Sequence, residues 1–118
     1  MKALLLIAVL LPVTTLAQVR PATESEIAII QNAMESRLKD PESMRLQNVR
    51  FAPNKTEGMQ TVCGEVNAKN GFGGYVGFRG FYAVYIANTN KGNPVAAVIG
   101  VDDGRTNAAS IMCKKEGL

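Results

Sequence analysis

Residues 59–86 read MQTVCGEVNAKNGFGGYVGFRGFYAVYI. Two runs rich in β-branched and aromatic residues, Met59 to Ala68 and Tyr75 to Ile86, flank a cluster of turn formers. Asn70-Gly71 with Gly73-Gly74 tolerates positive φ, so the spacing predicts a chain reversal and a β-hairpin. The hairpin sets the class, because short reversals make neighbouring strands antiparallel.

Working outward, Met44 to Ala52 reads as a strand whose alternation slips. Met44 and Leu46 share one parity and Val49 and Phe51 the other, and a bulge near Gln47-Asn48 reconciles them. Val95 to Val101 reads as a fourth strand, and its continuous apolar run predicts burial on both faces. Upstream, Thr23-Glu24-Ser25-Glu26 fits a capping box. Ile27, Ile30, Met34 and Leu38 then recur at helical spacing, which predicts a helix from about Glu24 to Lys39, stopped by Pro41. Asp40-Pro41-Glu42-Ser43 suits one short turn. At the other end, Thr106 or Asn107 can cap a short helix through Ala108, Ala109, Ile111 and Met112 that Gly117 ends, with a strand as the alternative for this segment. The expected class is α+β: an N-terminal helix, a four-stranded antiparallel sheet and a short C-terminal helix, closed by one disulfide.

The chain has 118 residues. Met1-Lys2, an apolar run from Ala3 to Val13 and the small residues around Thr15-Leu16-Ala17 together read as a signal peptide, residues 1–17. The run is too short to span a bilayer, so no stable membrane insertion of the mature chain is expected. Residues 18–118 then form one small domain, periplasmic or secreted, starting at Gln18. Two cysteines, Cys63 and Cys113, remain in an exported chain and read first as a disulfide. A reactive thiol or a metal site is the competing reading. There is no C-x-x-C and no His to activate a thiol or complete a zinc site, so no metal and no cofactor is expected.

Without Lys2 the chain has twelve basic and ten acidic residues, with no basic run longer than Lys114-Lys115. Nucleic acid is therefore not an expected partner, since such a surface needs clustered charge. No catalytic residue is assigned: there is no His, and Ser25, Ser36, Ser43 and Ser110 lack a nucleophile-elbow context. Glu65 could form a hydrolytic pair with Asp102 or Asp103, or simply pair with a Lys or Arg across the sheet. Gly71-Phe72-Gly73-Gly74-Tyr75-Val76-Gly77 superficially resembles a dinucleotide fingerprint, but it lacks the strand-to-helix crossover that such a site requires. Asp102-Asp103-Gly104 reads as a plain turn, without the spaced oxygen ligands of a calcium loop.

Cys63 to Tyr82 holds six of the eleven glycines and five of the seven aromatic residues. Gly77 and Gly80 interrupt a strong strand, and packing against a neighbouring ring is one explanation. The other is a binding surface formed by Tyr75, Arg79 and Phe81, with Asn70 and Glu65 flanking it. On that reading Val76, Phe78, Tyr82, Val84 and Ile86 form the core-facing set. A further conflict concerns Cys63, which points away from the face of Val62 and Val66, although Cys113 should pack on the core. Either a bulge near Gly64 or partial cover on each face of the sheet would resolve it.

K-D-P-E-S-M-R at Lys39 to Arg45, C-G-E-V-N-A-K-N at Cys63 to Asn70, G-G-Y-V-G-F at Gly73 to Phe78 and the late Cys113 occur together. In this combination the chain resembles a group of small exported bacterial proteins of uncharacterised function. The resemblance covers roughly Leu38 to Tyr82 plus Cys113. It implies one exported domain with a cysteine pair and implies no activity. In that group the terminal Cys tends to follow an aromatic-bearing helix, where this chain has Ile111-Met112. The leading expectation is a non-enzymatic binding or adaptor module of the bacterial envelope. Its partner would be an exported protein, an envelope polymer or a secreted enzyme to be inhibited. A carboxylate-dependent hydrolase and a purely structural envelope component are the alternatives.

Overall fold

Arg20–Pro21 pairs with the middle of the next strand and forms the edge of an antiparallel sheet of five strands, one more than the sequence suggests. The computed structural model describes residues 3–12 and 19–118. Residues 3–12 are exposed and form neither helix nor strand, and the expected cleavage region at Thr15-Leu16-Ala17 and Gln18 lies outside the described residues. The elements run β1 (Arg20–Pro21), α1 (Glu24–Met34), β2 (Arg45–Pro53), β3 (Met59–Asn67), β4 (Arg79–Ile86), β5 (Val95–Val101) and α2 (Ala108–Lys115). The strands lie in the sheet in chain order, every neighbour antiparallel. A two-residue strand containing a proline has no readable alternation, and it sits where proline is tolerated, on an edge.

α1 starts as its capping box requires. The Glu26 N–H donates to Thr23 Oγ1 at 3.3 Å, and the Thr23 N–H donates to Glu26 Oε1 at 2.9 Å. Both oxygens of Glu26 also accept from the Arg20 guanidinium, at 2.7 and 2.8 Å, tying β1 to the helix. This hydrogen-bonded fork, aided by the Thr23 donors, holds the Glu26 carboxyl down at about 2. The helix ends at Met34, five residues before the expected Lys39. A single 3₁₀ turn, Glu35–Arg37, follows, and Leu38 is already extended. That change of backbone still lets Leu38 pack on the core while the chain approaches Pro41, which disfavours a helical Asp40.

The slip in β2 is a bulge. Gln47 pairs with Glu65 and Arg50 with Cys63, so three steps oppose two, and Asn48 takes the left-handed φ of 53°. Leu46, Val49 and Phe51 thereby face one core despite their mixed parity. That core joins Ile30 and Met34 of α1 to Phe51, Val62, Val66, Phe81, Ala83, Tyr85 and Val98. Phe51 and Tyr85 meet edge to face with ring centroids 5.1 Å apart. On the opposite face, Cys63 and Tyr82 are covered by Ala109 and Cys113 of α2.

Helices therefore lie on both faces of the sheet, which resolves the Cys63 conflict. Cys63 and Cys113 are bonded, with Cα atoms 6.0 Å apart, and the β3–β4 register runs unbroken past Gly64. The expected assignment of faces in β4 is inverted. Phe81, Ala83 and Tyr85 form the core under α1, while Tyr82 lies beneath α2. β5 is likewise not buried on both sides. It is the far edge, bulged between Val98 and Gly100, with Val98 buried and Ile99 56% exposed.

Candidate functional site

The expected strand from Tyr75 starts only at Arg79, and the residues before it form a braced loop. Asn70 organises it. The Asn70 Oδ1 accepts the N–H groups of Phe72 at 2.9 Å and Gly74 at 3.2 Å. Its own backbone exchanges hydrogen bonds with Gly74 and Gly73. Gly73 and Gly77 adopt φ of 81° and 92°, a region that a side chain strains. The Gly77 N–H turns inward to Asn67 Oδ1 at 3.0 Å instead of joining a ladder, which is why no strand forms here.

A second brace comes from the turn before β2. Ser43 Oγ accepts the Lys69 N–H at 2.8 Å and donates to the Asp40 carbonyl at 2.7 Å. The Tyr75 hydroxyl donates to the Ser43 carbonyl at 3.0 Å. The Arg45 guanidinium lies 4.6 Å from the Tyr75 ring centroid and the Lys69 ammonium 5.6 Å. Two motifs that are distant in sequence, Asp40-Pro41-Glu42-Ser43 and Asn67 to Tyr75, thus form one structural unit. The unit displays Phe72, 98% exposed, with Val76 and Phe78 also open to solvent.

Beneath the loop, on the α1 side, lies a cleft of about 400 Å³. Leu38, Val66, Ala68, Val76 and Val101 give it apolar walls, and Arg37, Lys39, Lys69 and Arg79 stand around it. Asp102 and Asp103 also line it. Asp102 is buried, and its two oxygens serve the start of α2, accepting the Ala109 N–H at 2.9 Å and the Ser110 hydroxyl. Asp103 accepts the N–H groups of Thr106 at 2.9 Å and Arg105 at 2.8 Å, which hold its carboxyl below the ordinary range. These bonds account for the Asp102-Asp103-Gly104 turn. Among the described residues no three His, Cys, Asp or Glu side chains gather where a metal could bind.

Of the five residues expected to share a binding surface, Asn70 and Tyr75 lie in one loop and Asn70 and Arg79 line one cleft, whereas Phe81 and Glu65 lie apart from them. Asn70 shapes the loop from within. Tyr75 is 40% exposed and docks on Ser43. Arg79 stands half-buried in the cleft, its guanidinium against Gly104. Phe81 is 0% exposed, and its ring fills the space over Gly64, where a Cβ would lie 2.8 Å from it. The contact surface expected of Tyr75, Arg79 and Phe81 is therefore corrected: the odd-numbered positions of β4 face α1, so Phe81 is core. Glu65 lies on the α2 side, 3.8 Å from Arg50, in a smaller cleft of about 260 Å³ with Ser110 and Lys114. That pairing matches the cross-sheet alternative for Glu65.

Sequence reasoning passed over Ser43, Phe72 and the cleft cations Arg37, Lys39 and Lys69. Ser43 was signalled by the co-occurrence of its motif with the Asn67-to-Tyr75 segment. Lys39 and Lys69 lie in the same two co-occurring motifs, whereas Arg37 lies outside them and meets the others only on folding. No protein-family model, curated protein or solved structure matches this chain.

Proposed function

We propose that this protein is an exported, disulfide-stapled binding module of the bacterial envelope, periplasmic or secreted, whose contact element is the Asn70–Phe78 loop. The observation that carries the reading is Phe72: a fully exposed aromatic ring on a loop whose polar groups are anchored internally. A pre-ordered loop loses little entropy on contact, and aromatic side chains dominate binding energy at interfaces. The partner class is another exported protein or an envelope polymer. Glu65, the residue on which a hydrolase reading would depend, is neighboured by Arg50, and the Asp102 oxygens are engaged at α2. The engagement of Asp102 supports a non-enzymatic role, while Glu65 Oε2 accepts no hydrogen bond among the described residues.

Site-specific cross-linking in the exporting cell tests this. A photoreactive residue at Phe72 is expected to give a discrete adduct from the envelope fraction, and one at the exposed, remote Asn90 is expected to give none. Equal labelling from both positions counts against the loop as a contact element. N-terminal sequencing of the same material is expected to start at Gln18.

A further inference from the structure

We propose that the cleft between the loop and the Leu38-Lys39 segment is a site for a small anionic amphiphile: a carboxylate or phosphate head group on an aliphatic chain. The inference stands on the cleft and does not require the exposed loop to contact a partner.

The charge balance supplies the first argument. Four cations and two carboxylates line the cleft, a balance of plus two, and the hydrogen bonds of both carboxylates go to neutral donors and not to the cations. Asp102 is buried with both oxygens accepting from α2, and Asp103 is turned to the N–H groups of its own turn. Among the described residues the salt bridges are Arg20–Glu26 and Arg50–Glu65, so none of the four cleft cations makes an ion pair, and the cations outnumber the lining carboxylates by two. A surface that only needs solubility spreads such charges over convex ground. Here they converge on a concavity.

Arg79 supplies the second. Arg79 is half-buried at the cleft wall with its guanidinium beside the Gly104 turn, where a Cβ would lie 3.6 Å away. The fork makes no ion pair among the described residues, and its planar geometry suits bidentate capture of a carboxylate or phosphate. Arg37, also in the lining, donates a 2.7 Å bond to the Val98 carbonyl. The walls supply the third. Leu38, Val66, Val76 and Val101 offer an apolar lining that a bare inorganic anion would leave wet. About 400 Å³ lies within the usual range for small-ligand sites, roughly 300–1,000 Å³.

The test is an NMR titration of the intact, oxidised, exported protein at low ionic strength. The probes are sodium octanoate, octyl phosphate, 1-octanol and inorganic phosphate. Saturable shifts are expected at Val66, Ala68, Val76 and Arg79 with octanoate, octyl phosphate or both, and the stronger of the two identifies the head group. Octanol and inorganic phosphate should each bind about tenfold more weakly or less. Arg79→Gln and, separately, Lys69→Gln should each weaken the amphiphile about tenfold or more, whereas Lys114→Gln on the opposite face should leave it unchanged. A thermal melt of each variant establishes that it is folded. Equal affinity for octanol and octanoate, unchanged binding by both folded cleft variants, or shifts confined to the Phe72 tip overturns the proposal. So does binding of a glutamate-rich peptide with none of either amphiphile. If the amphiphiles fail while the Phe72 cross-link persists, the cleft inference falls alone and the loop reading stands.

Discussion

Ser43 accepts the Lys69 N–H at 2.8 Å, and through that bond the turn entering β2 carries the loop leaving β3. Ser43→Ala removes the acceptor and leaves a half-buried N–H without a protein partner. The expected cost is about 1–2 kcal/mol. Hydrogen exchange at Lys69, Phe72 and Gly77 should accelerate well beyond the change at Val62 and Ala83. Uniform acceleration throughout the sheet would mean that Ser43 supports the whole fold and not the loop.

Gly80 is required by its neighbours and not by its own backbone. A Cβ there would lie 2.5 Å from Ser110 Oγ and 2.8 Å from Asp102 Oδ2. Gly80→Ala should displace the Asp102 carboxylate from the start of α2 and cost about 2–3 kcal/mol. The control is Gly100→Ala, since a Cβ on Gly100 meets nothing within 4 Å. Urea unfolding of the two variants should separate them clearly, and equal midpoints would refute the contact.

Glu26 makes stability depend on acid pH. Its carboxyl is held at about 2 in the fold against 4.5 as an ordinary Glu, chiefly by the Arg20 hydrogen bonds. A depressed folded value means that the stabilisation is complete above 4.5, and is lost as pH falls from there toward 2. Arg20 is 41% exposed, so solvent screening reduces the gain to about 1–2 kcal/mol. Glu26→Gln should therefore lower the unfolding free energy at pH 7 by about that amount and leave it nearly unchanged at pH 2. A deficit that is the same at both pH values would assign the effect to the cap geometry alone.

Protein purified from an oxidising compartment should contain no free thiol, because Cys63 and Cys113 are bonded. The bridge closes a loop of 50 residues, and loop-closure entropy puts its contribution at about 4 kcal/mol. Cys63→Ala/Cys113→Ala should lower the unfolding free energy on that scale. Quantitative thiol labelling of the native protein would refute the bond.

Local features of the fold were readable wherever they depended on neighbours in sequence. The Thr23–Glu26 box closes over three residues, and the β2 bulge is announced by apolar residues that change parity between Leu46 and Val49. What escaped depended on distant partners. Phe81 and Tyr82 are both aromatic, and with a helix on each face of the sheet both parities are buried, so alternation could not identify the α1 side. Tyr75 has strand-like composition, yet its hydroxyl is spent on Ser43, thirty-two residues away. The cleft is the extreme case. Its cations are spaced so that no window of sequence shows a basic cluster, and neither Asp102 nor Asp103 makes an ion pair with them.

α2 sets an order of events for the newly made chain. Cys63 sits in the third of five strands, but its cover and its covalent partner arrive together only when synthesis has passed Cys113. A nascent chain stopped short of that point can pack α1 against its face of the sheet while Tyr82 and an unprotected thiol lie bare on the other. Within one chain, the native bond at Cys63 can therefore form only after Cys113 and the α2 segment around it have been made.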